Sequence, residues 1–445
     1  MRATNPAADT GWSPGSGPPA GAGIALLTVG ILALAFNLRA AITSLPPIFP
    51  ELHTALHLSA ASQALLAAIP VLCFAVFSGV AAPLSRRLGE ERVLGAALVL
   101  LAAGLLLRGA DPARLLFPGT IVAGAAIALM NVLLPSLVKR RRPERAGLLI
   151  GLYLLSLSAG AIAGSLIAVP VYQAAGGSNG AVRLTLGLWA VPALIGAAVW
   201  LPQLRYRTLP ARRAPAVPTK TGLTKTGLTK TVPAKTGPAK TGPAAALGPS
   251  SLWRQPLTWQ VTAFMGLQSL SYYAALSWFP TLFRDRGASA VHAGTLLAIM
   301  NLGNAVTALL VPVLAHRLRD QRVLSAVSMV GTALGLAGAA FGPLPAAAAF
   351  MFLLGLGQGA SLGLGIFYTM ARAPDPVTAA SLSAFAQSAG YLLASTGPLL
   401  LGFLHTATGG WTIPVLVLLG ITALQLVTGW LAGRDVVVTR PLPAH

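Results

Sequence analysis

Acidic residues are scarce in this chain. Only 10 of its 445 residues are Asp or Glu, against 31 Lys and Arg, and charged residues together make up 9%. Soluble proteins are usually about one quarter charged, because charged side chains keep a surface hydrated. Hydrophobic residues make up 55% of the chain. This composition excludes a soluble globular protein and predicts an integral membrane protein.

Cysteine and the motifs of enzymes are nearly or wholly missing. The single cysteine, Cys73, lies in an apolar run, which excludes a disulfide framework and a cysteine metal cluster. The sequence has no His-Glu-x-x-His motif, no Gly-Lys-Ser/Thr phosphate loop and no paired carboxylates in its apolar runs. We therefore expect no enzyme activity, no metal, no cofactor and no use of ATP.

Long apolar runs are abundant, and about 20 apolar residues are needed to cross a bilayer as a helix. The runs are continuous rather than alternating, which predicts helices and not barrel strands. We predict an all-α membrane protein with twelve spans, over residues 23–47, 61–84, 92–109, 114–137, 145–170, 183–202, 258–282, 291–315, 322–341, 345–371, 377–403 and 411–432.

The formal net charge of +21 arises mainly in short segments between the spans. Twenty-five of the 31 Lys and Arg would lie on one side of the membrane, five on the other, and Arg39 within a span. Loops rich in Lys and Arg stay in the cytoplasm. The pattern therefore predicts cytoplasmic termini, and it gives no reason to expect a nucleic-acid partner.

The spans are predicted to form two halves. We expect a disordered tail over 1–22, a six-helix bundle over 23–202, a disordered basic linker over 203–256, a second bundle over 257–433 and a tail over 434–445. The linker repeats Lys-Thr-Gly and has too few large apolar residues to fold. It is interpreted as a solvated tether, or alternatively as a segment that binds anionic lipids. Segments 83–92 and 312–322 resemble one another, as in transporters built from two repeated bundles.

Several short strings carry a closer resemblance. They are NLRAAITS at 37–44, PVLCF at 70–74, ERAG at 144–147, GLQSL at 266–270 and AQSAGY at 386–391. With the two-bundle layout, they resemble the cyanate/2-nitroimidazole transporter family of the major facilitator superfamily. The resemblance covers all twelve spans. It implies a multi-pass protein of the cell membrane that moves a small solute between two rocking bundles.

Arg39 is the most informative single residue. A charge deep in a span costs several kcal/mol unless it faces protein or water and has a partner. No Asp or Glu lies in the core of a predicted span. The planar guanidinium would therefore suit an anionic or strongly dipolar substrate. The alternative is a structural clamp, in which backbone carbonyls at helix ends satisfy the arginine.

Polar neutral residues in the spans must pair within the protein or line water. The resemblance implies a cavity lined by spans one, four, seven and ten with parts of their neighbours, and each such residue could instead hold helices together. The predicted substrate-binding residues are Arg39, Asn37, Thr43, Asn131, Tyr153, Gln268, Tyr272, Asn301 and Gln387. The residues predicted to act in the loops that change conformation are Arg86, Arg87, Gly89, Arg92, Arg317, Asp320 and Arg322.

We expect a secondary active or facilitative transporter, monomeric in the bilayer, for a small anionic or polar neutral solute such as a cyanate-like anion or a nitroimidazole-like compound. The lack of acids within the spans disfavours a cationic substrate. His292 could couple protons, or simply cap a helix. The alternatives are an exporter of drug-like heteroaromatic compounds and a membrane receptor or scaffold that has lost transport.

Overall fold

The computed structural model describes residues 20–206 and 252–438, with side chains from Ala25 onward. These residues are helical, and no strand occurs among them. The helices are α1 (Ala20–Thr43), α2 (Phe49–Leu56), α3 (Ala60–Leu88), α4 (Glu90–Ala110), α5 (Pro112–Arg141), α6 (Ala146–Ala174), α7 (Asn179–Gly187), α8 (Ala190–Trp200), α9 (Pro256–Asp285), α10 (Ala290–Arg317), α11 (Arg322–Phe341), α12 (Ala347–Ala371), α13 (Pro376–Thr408) and α14 (Thr412–Ala432).

The predicted helical spans are confirmed, with α7 and α8 together forming the sixth. Ten segments of the described chain are long and apolar enough to cross a membrane by length and composition alone. The remaining two spans are α9 and α13, which have 30 and 33 residues. At about 1.5 Å per residue, both are longer than the roughly 30 Å hydrocarbon core. Their sequences are richer in Ser, Gln and Tyr, and both contribute to the site described below.

Side chains at the helix starts fix several boundaries. The Ser59 hydroxyl accepts from the Ser62 N–H at the start of α3, and Ser289 accepts from the His292 N–H at the start of α10. Asp375 accepts from two backbone N–H groups at the start of α13. Each cap satisfies donors that a helix cannot bond internally. Gly89 alone joins α3 to α4 at φ 90°, a conformation that favours glycine.

The chain packs as two halves, which we call the N-half (residues 25–206) and the C-half (residues 252–438). The halves meet where α3 packs on α13 and where α6 packs on α10. Within the C-half, glycines of α12 allow close packing on α10. A Cβ at Gly355 would overlap the Met300 carbonyl, and one at Gly359 would overlap the Asn304 carbonyl. Small residues commonly bring membrane helices together in this way.

One face of the molecule is closed. We call it the opposite face, because it lies across the bundle from the linker face, where α8 ends and α9 begins. At the opposite face Glu51 of the N-half forms an ion pair with Arg284 of the C-half. Beside it, the rings of Phe49 and Trp278 lie 6.4 Å apart. The two halves are therefore joined by both charge and aromatic packing at this face.

The linker face has a cavity of about 540 Å³, lined by Lys139 of the N-half and by residues of the C-half that include Asp375 and Ser383. The halves are thus joined by an ion pair at the opposite face and bordered by a cavity at the linker face.

The predicted tail and linker fall mainly on residues that the structure does not describe, namely 1–19 and 207–251. The described start of the predicted C-terminal tail packs on the C-half. Val438 is buried, and its N–H donates to the Arg372 carbonyl at 2.9 Å. The N-half likewise continues to residue 206 in a short 3₁₀ segment, Leu201–Arg205.

Charged residues near the two ends of α4 are buried. Arg108 lies near the end of the predicted span 92–109, and in the structure it lies in α4 and is 1% exposed. Its guanidinium donates to the carbonyls of Ala41 at 3.3 Å and Leu186 at 3.5 Å, near the ends of α1 and α7. The negative ends of helix dipoles favour a cation there. Sequence spacing around Arg108 cannot show that two other helices end beside it.

Two acids begin α4, outside the core of the predicted span. Glu90 and Glu91 are both buried. Glu90 lies 3.3 Å from Arg140, and Glu91 lies 3.6 Å from Arg141. These pairs join the start of α4 to the end of α5 at the linker face.

Candidate functional site

Arg39 lies between the two halves. It projects from α1 of the N-half, and its guanidinium carbon lies 5.3 Å from the ring centre of Tyr272 and 5.6 Å from that of Tyr273, both on α9. Its Nη1 atom is buried and has no hydrogen-bond partner. None of the ion pairs in the described part of the chain includes Arg39. Aromatic faces rather than carboxylates therefore surround this cation.

Two small cavities adjoin Arg39, with volumes of about 20 Å³ and 30 Å³. Both are lined by Arg39 together with Tyr272, Asn304 and Leu362 of the C-half. The first is also lined by Gln268, Ser269, Tyr273 and Tyr391, and the second by Asn301 and by residues of α6 such as Ser158. Residues of both halves therefore enclose the same space.

Most amides of the C-half around this space are already hydrogen-bonded. Tyr272 donates to Asn301 Oδ1 at 2.8 Å, and Asn301 Nδ2 donates to the Leu297 carbonyl at 3.0 Å. Gln268 Nε2 lies 3.2 Å from Gln358 Oε1. Asn304 is different, because its Nδ2 atom is buried without a partner. Two donors beside the cavities, Arg39 Nη1 and Asn304 Nδ2, are thus unsatisfied by the protein.

Further tyrosines surround Arg39 at longer range. Tyr153 and Tyr391 are near enough to interact electrostatically with its guanidinium. The Tyr153 hydroxyl donates to Asn131 Oδ1 at 3.3 Å, which links α6 to α5. The ring of Tyr391 packs edge-on against Phe74 of α3, with centroids 5.4 Å apart. These residues form an outer layer that joins the N-half to the C-half.

The structure brings part of the predicted binding set to the cavities, namely Arg39, Gln268, Tyr272 and Asn301. The other five line neither cavity: Asn131 and Tyr153 belong to the outer layer described above, and three more have partners elsewhere. Asn37 donates to the Ala33 and Pro192 carbonyls, Thr43 donates to the Ala161 carbonyl, and Gln387 donates to Ser383 Oγ. These three side chains do not line either cavity, and their bonds hold helices or turns together.

The residues predicted to act in the loops lie at the linker face. Asp320 caps α11 by accepting from the Arg322 N–H at 2.8 Å, and the two side chains form an ion pair at 3.4 Å. Gly89 is the joint between α3 and α4. The side chains of Arg86, Arg87, Arg92 and Arg317 are exposed. Their role in conformational change remains a prediction.

Sequence reasoning left five polar cavity residues out of the binding set: Ser158, Ser269, Tyr273, Asn304 and Tyr391. All five lie inside predicted spans, which is the same signal that pointed to Gln268 and Tyr272. The signal identifies candidates without showing which of them face a cavity.

The sequence was also compared with known proteins. The profile of the Major Facilitator Superfamily matches residues 26–398 and 267–444. The chain belongs to the Major Facilitator Superfamily. A 2-nitroimidazole transporter of Escherichia coli (strain K12) is 37% identical over 413 residues, which cover 92% of this chain and 96% of that protein. The cyanate transport protein CynX of the same organism is 26% identical over 401 residues, which cover 89% of this chain and 95% of that protein.

Solved structures of the superfamily share the fold. A bacterial homologue of the human lysosomal transporter Spinster, crystallised in an inward-facing and unoccupied conformation, aligns with a TM-score of 0.69 over 97% of this chain and 100% of that chain at 16% identity. The D-xylose–proton symporter aligns with the same TM-score over 94% and 100% of the two chains at 14% identity. This chain is therefore a multi-pass transporter of the cell membrane and not an enzyme.

Proposed function

We propose that this transporter moves a small anionic or strongly polar neutral solute by alternating access, and that Arg39 recognises the solute. The observation that carries the proposal is the Arg39 guanidinium itself, which lies between the halves with an unpaired N–H group and no ion-pair partner in the described chain. A buried cation of this kind is stabilised by an acceptor that brings negative charge to it.

The relatives support the chemical class. One is named for 2-nitroimidazole and the other for cyanate, and both solutes present electron-rich acceptor atoms. The two cavities are small, since a single water molecule needs about 10–15 Å³ measured in this way. A solute of few non-hydrogen atoms, such as a cyanate-like anion, fits this conformation best. A nitroimidazole-like ring requires the surrounding tyrosines to move apart.

The positive-inside rule assigns the linker face, with its basic loops, to the cytoplasm. On this assignment the cavity at Lys139 faces the cytoplasm, and the Glu51–Arg284 ion pair lies at the external face. We propose that rocking of the halves breaks this pair and closes the cavity at Lys139. Because one chain supplies both walls of the site, we also propose that it acts as a monomer and without a nucleic-acid partner.

The energy source is constrained by the same geometry. Since no carboxylate pairs with Arg39 in the described chain, a proton held by an acid at the site is not part of the proposal. Two routes fit: the solute carries its own proton as the conjugate acid, or it moves down its gradient without a coupled ion.

Uptake into reconstituted vesicles tests the proposal. The purified chain is assayed with cyanate, other small anions, 2-nitroimidazole and small cations, with and without an imposed pH gradient. We expect uptake of an anion or nitro compound that requires Arg39, with Arg39→Gln vesicles as the control. Uptake of cations alone, or equal uptake with Arg39→Gln, would contradict the proposal.

A second candidate is the export of heteroaromatic compounds. The observation in its favour is the group of aromatic rings at the first cavity, contributed by Tyr272, Tyr273 and Tyr391. Aromatic side chains stack on ring compounds with useful affinity. Efflux of 2-nitroimidazole from loaded vesicles, without transport of cyanate, would favour this candidate over the first.

A further inference from the structure

Asn304 is the second side chain with an unsatisfied donor at the cavities. It lies on α10 of the C-half and lines both cavities, as Arg39 of the N-half does. Its Nδ2 atom is buried and has no hydrogen-bond partner. A buried donor without a partner costs about 1–3 kcal/mol, so such a group is expected to acquire a partner when the protein functions.

The neighbouring amides show that this is a property of Asn304 and not of the whole region. Asn301, one turn earlier on the same helix, has hydrogen bonds at both its Oδ1 and its Nδ2 atom. Gln268 is paired with Gln358. The protein thus satisfies its other cavity amides and leaves one free.

The backbone of Asn304 is also held firmly in place. Glycines at 355 and 359 bring α12 so close that a Cβ at Gly359 would overlap the Asn304 carbonyl, and a Cβ at Gly355 would lie 3.0 Å from its backbone nitrogen. Rigid placement of a polar group lowers the entropy lost when a ligand binds to it.

We propose that Asn304 donates to the solute from the C-half while Arg39 donates from the N-half, so that the site selects solutes with at least two acceptor atoms. This inference rests on the proposed function. A bound solute of this kind connects the two halves directly. A monatomic anion offers one acceptor atom, which we expect to lie at the charged Arg39 guanidinium rather than at the neutral Asn304 amide, and Asn304 is therefore proposed to determine specificity.

Binding of cyanate, which has acceptors at both ends, and of bromide, which is a single atom, separates the two donors. Affinities are measured by thermal shift on the purified full-length chain. A hydrogen bond to a charged group contributes about 1.5–3 kcal/mol, so Asn304→Leu is expected to weaken cyanate binding by about tenfold to 100-fold. Bromide affinity is expected to stay unchanged.

Gln425→Leu is the matched control. Gln425 is also a buried amide of the C-half, with no partner for Nε2 or Oε1, but it lines neither cavity. We expect this variant to keep the wild-type ratio of cyanate to bromide affinity. Should Asn304→Leu fail to fold, Asn304→Ser replaces it, since a shorter hydroxyl reaches less far and is expected to reduce the same ratio.

Three outcomes would count against the inference. Equal losses for cyanate and bromide in Asn304→Leu would show that the residue acts structurally, and wild-type affinity for both anions would show that it does not take part in binding. In both cases Arg39→Gln still weakens the two anions, so the proposed function stands. If wild-type protein binds neither anion and Arg39→Gln changes nothing, the proposed function and this inference fail together.

Discussion

Replacing Arg39 with glutamine separates recognition from folding. The substitution removes the charge and most of the N–H donors, yet leaves a shorter, polar side chain. Two hydrogen bonds to a charged partner contribute about 1.5–3 kcal/mol each. A loss of about 3 kcal/mol corresponds to about 100-fold weaker solute binding. We expect this loss in cyanate affinity and a matching loss of uptake at low solute concentration.

The same substitution is expected to leave the stability of the fold unchanged or to raise it. Arg39 has no ion-pair partner to lose, and its contacts with Tyr272 and Tyr273 contribute about 0.5–2 kcal/mol each. Burying the charge costs at least a comparable amount, about 2.5–3.5 kcal/mol on insertion scales. The melting temperature of Arg39→Gln without solute is therefore expected to equal or exceed that of the wild type.

Arg108→Gln is the matched control, because Arg108 is the other deeply buried arginine of the N-half. Its guanidinium bonds the Ala41 and Leu186 carbonyls, and a shorter neutral amide leaves at least one of them unsatisfied at about 1–3 kcal/mol. We expect a lower melting temperature with unchanged solute affinity in the protein that remains folded. The reasoning is refuted if Arg39→Gln melts lower while retaining wild-type affinity.

Two further predictions concern the gate and the packing of the helices. Glu51→Gln removes the ion pair with Arg284 that joins the halves at the opposite face. Hydrogen–deuterium exchange in the last turn of α9 should therefore rise severalfold. Unchanged exchange would show that the ion pair does not hold this face closed. Gly160→Val should lower the melting temperature, because a Cβ there overlaps the Phe36 carbonyl. The control Gly147→Val should leave the melting temperature unchanged, because nothing lies within 4 Å of a Cβ at that position. Equal melting temperatures for the two variants would contradict the close packing of α6 on α1.

The architecture was largely predictable because each helix is long and continuous. Apolar runs identify spans without any knowledge of their neighbours, and basic loops indicate on which side of the membrane each connection lies. The position of Arg39 deep within a span and the shortage of acids in the spans can also be read from the amino-acid sequence alone. Asn37 and Arg39 are two residues apart, a spacing that places them on different faces of an α-helix. In the structure Asn37 bonds α8 whereas Arg39 faces α9.

The details of the site depend on partners that only the folded chain brings together. Asn301 and Asn304 are equally polar and one turn apart, yet Asn301 Nδ2 donates to the Leu297 carbonyl and Asn301 Oδ1 accepts from Tyr272, whereas Asn304 Nδ2 has no partner. At the opposite face, Glu51 pairs with Arg284, 233 residues later. No local pattern marks such a pair, which explains why gating residues were predicted only at the linker face.

The central claim is that the Arg39 guanidinium contacts the bound solute. Solid-state NMR on protein in lipid, with ¹⁵N-labelled arginine and ¹³C-labelled cyanate, measures this contact through the dipolar coupling between the two labels. We predict strong dephasing of the cyanate signal, consistent with hydrogen-bonding distance, and its loss in Arg39→Lys protein prepared with the same label. Bound cyanate whose signal shows no dephasing in the wild type would contradict the account.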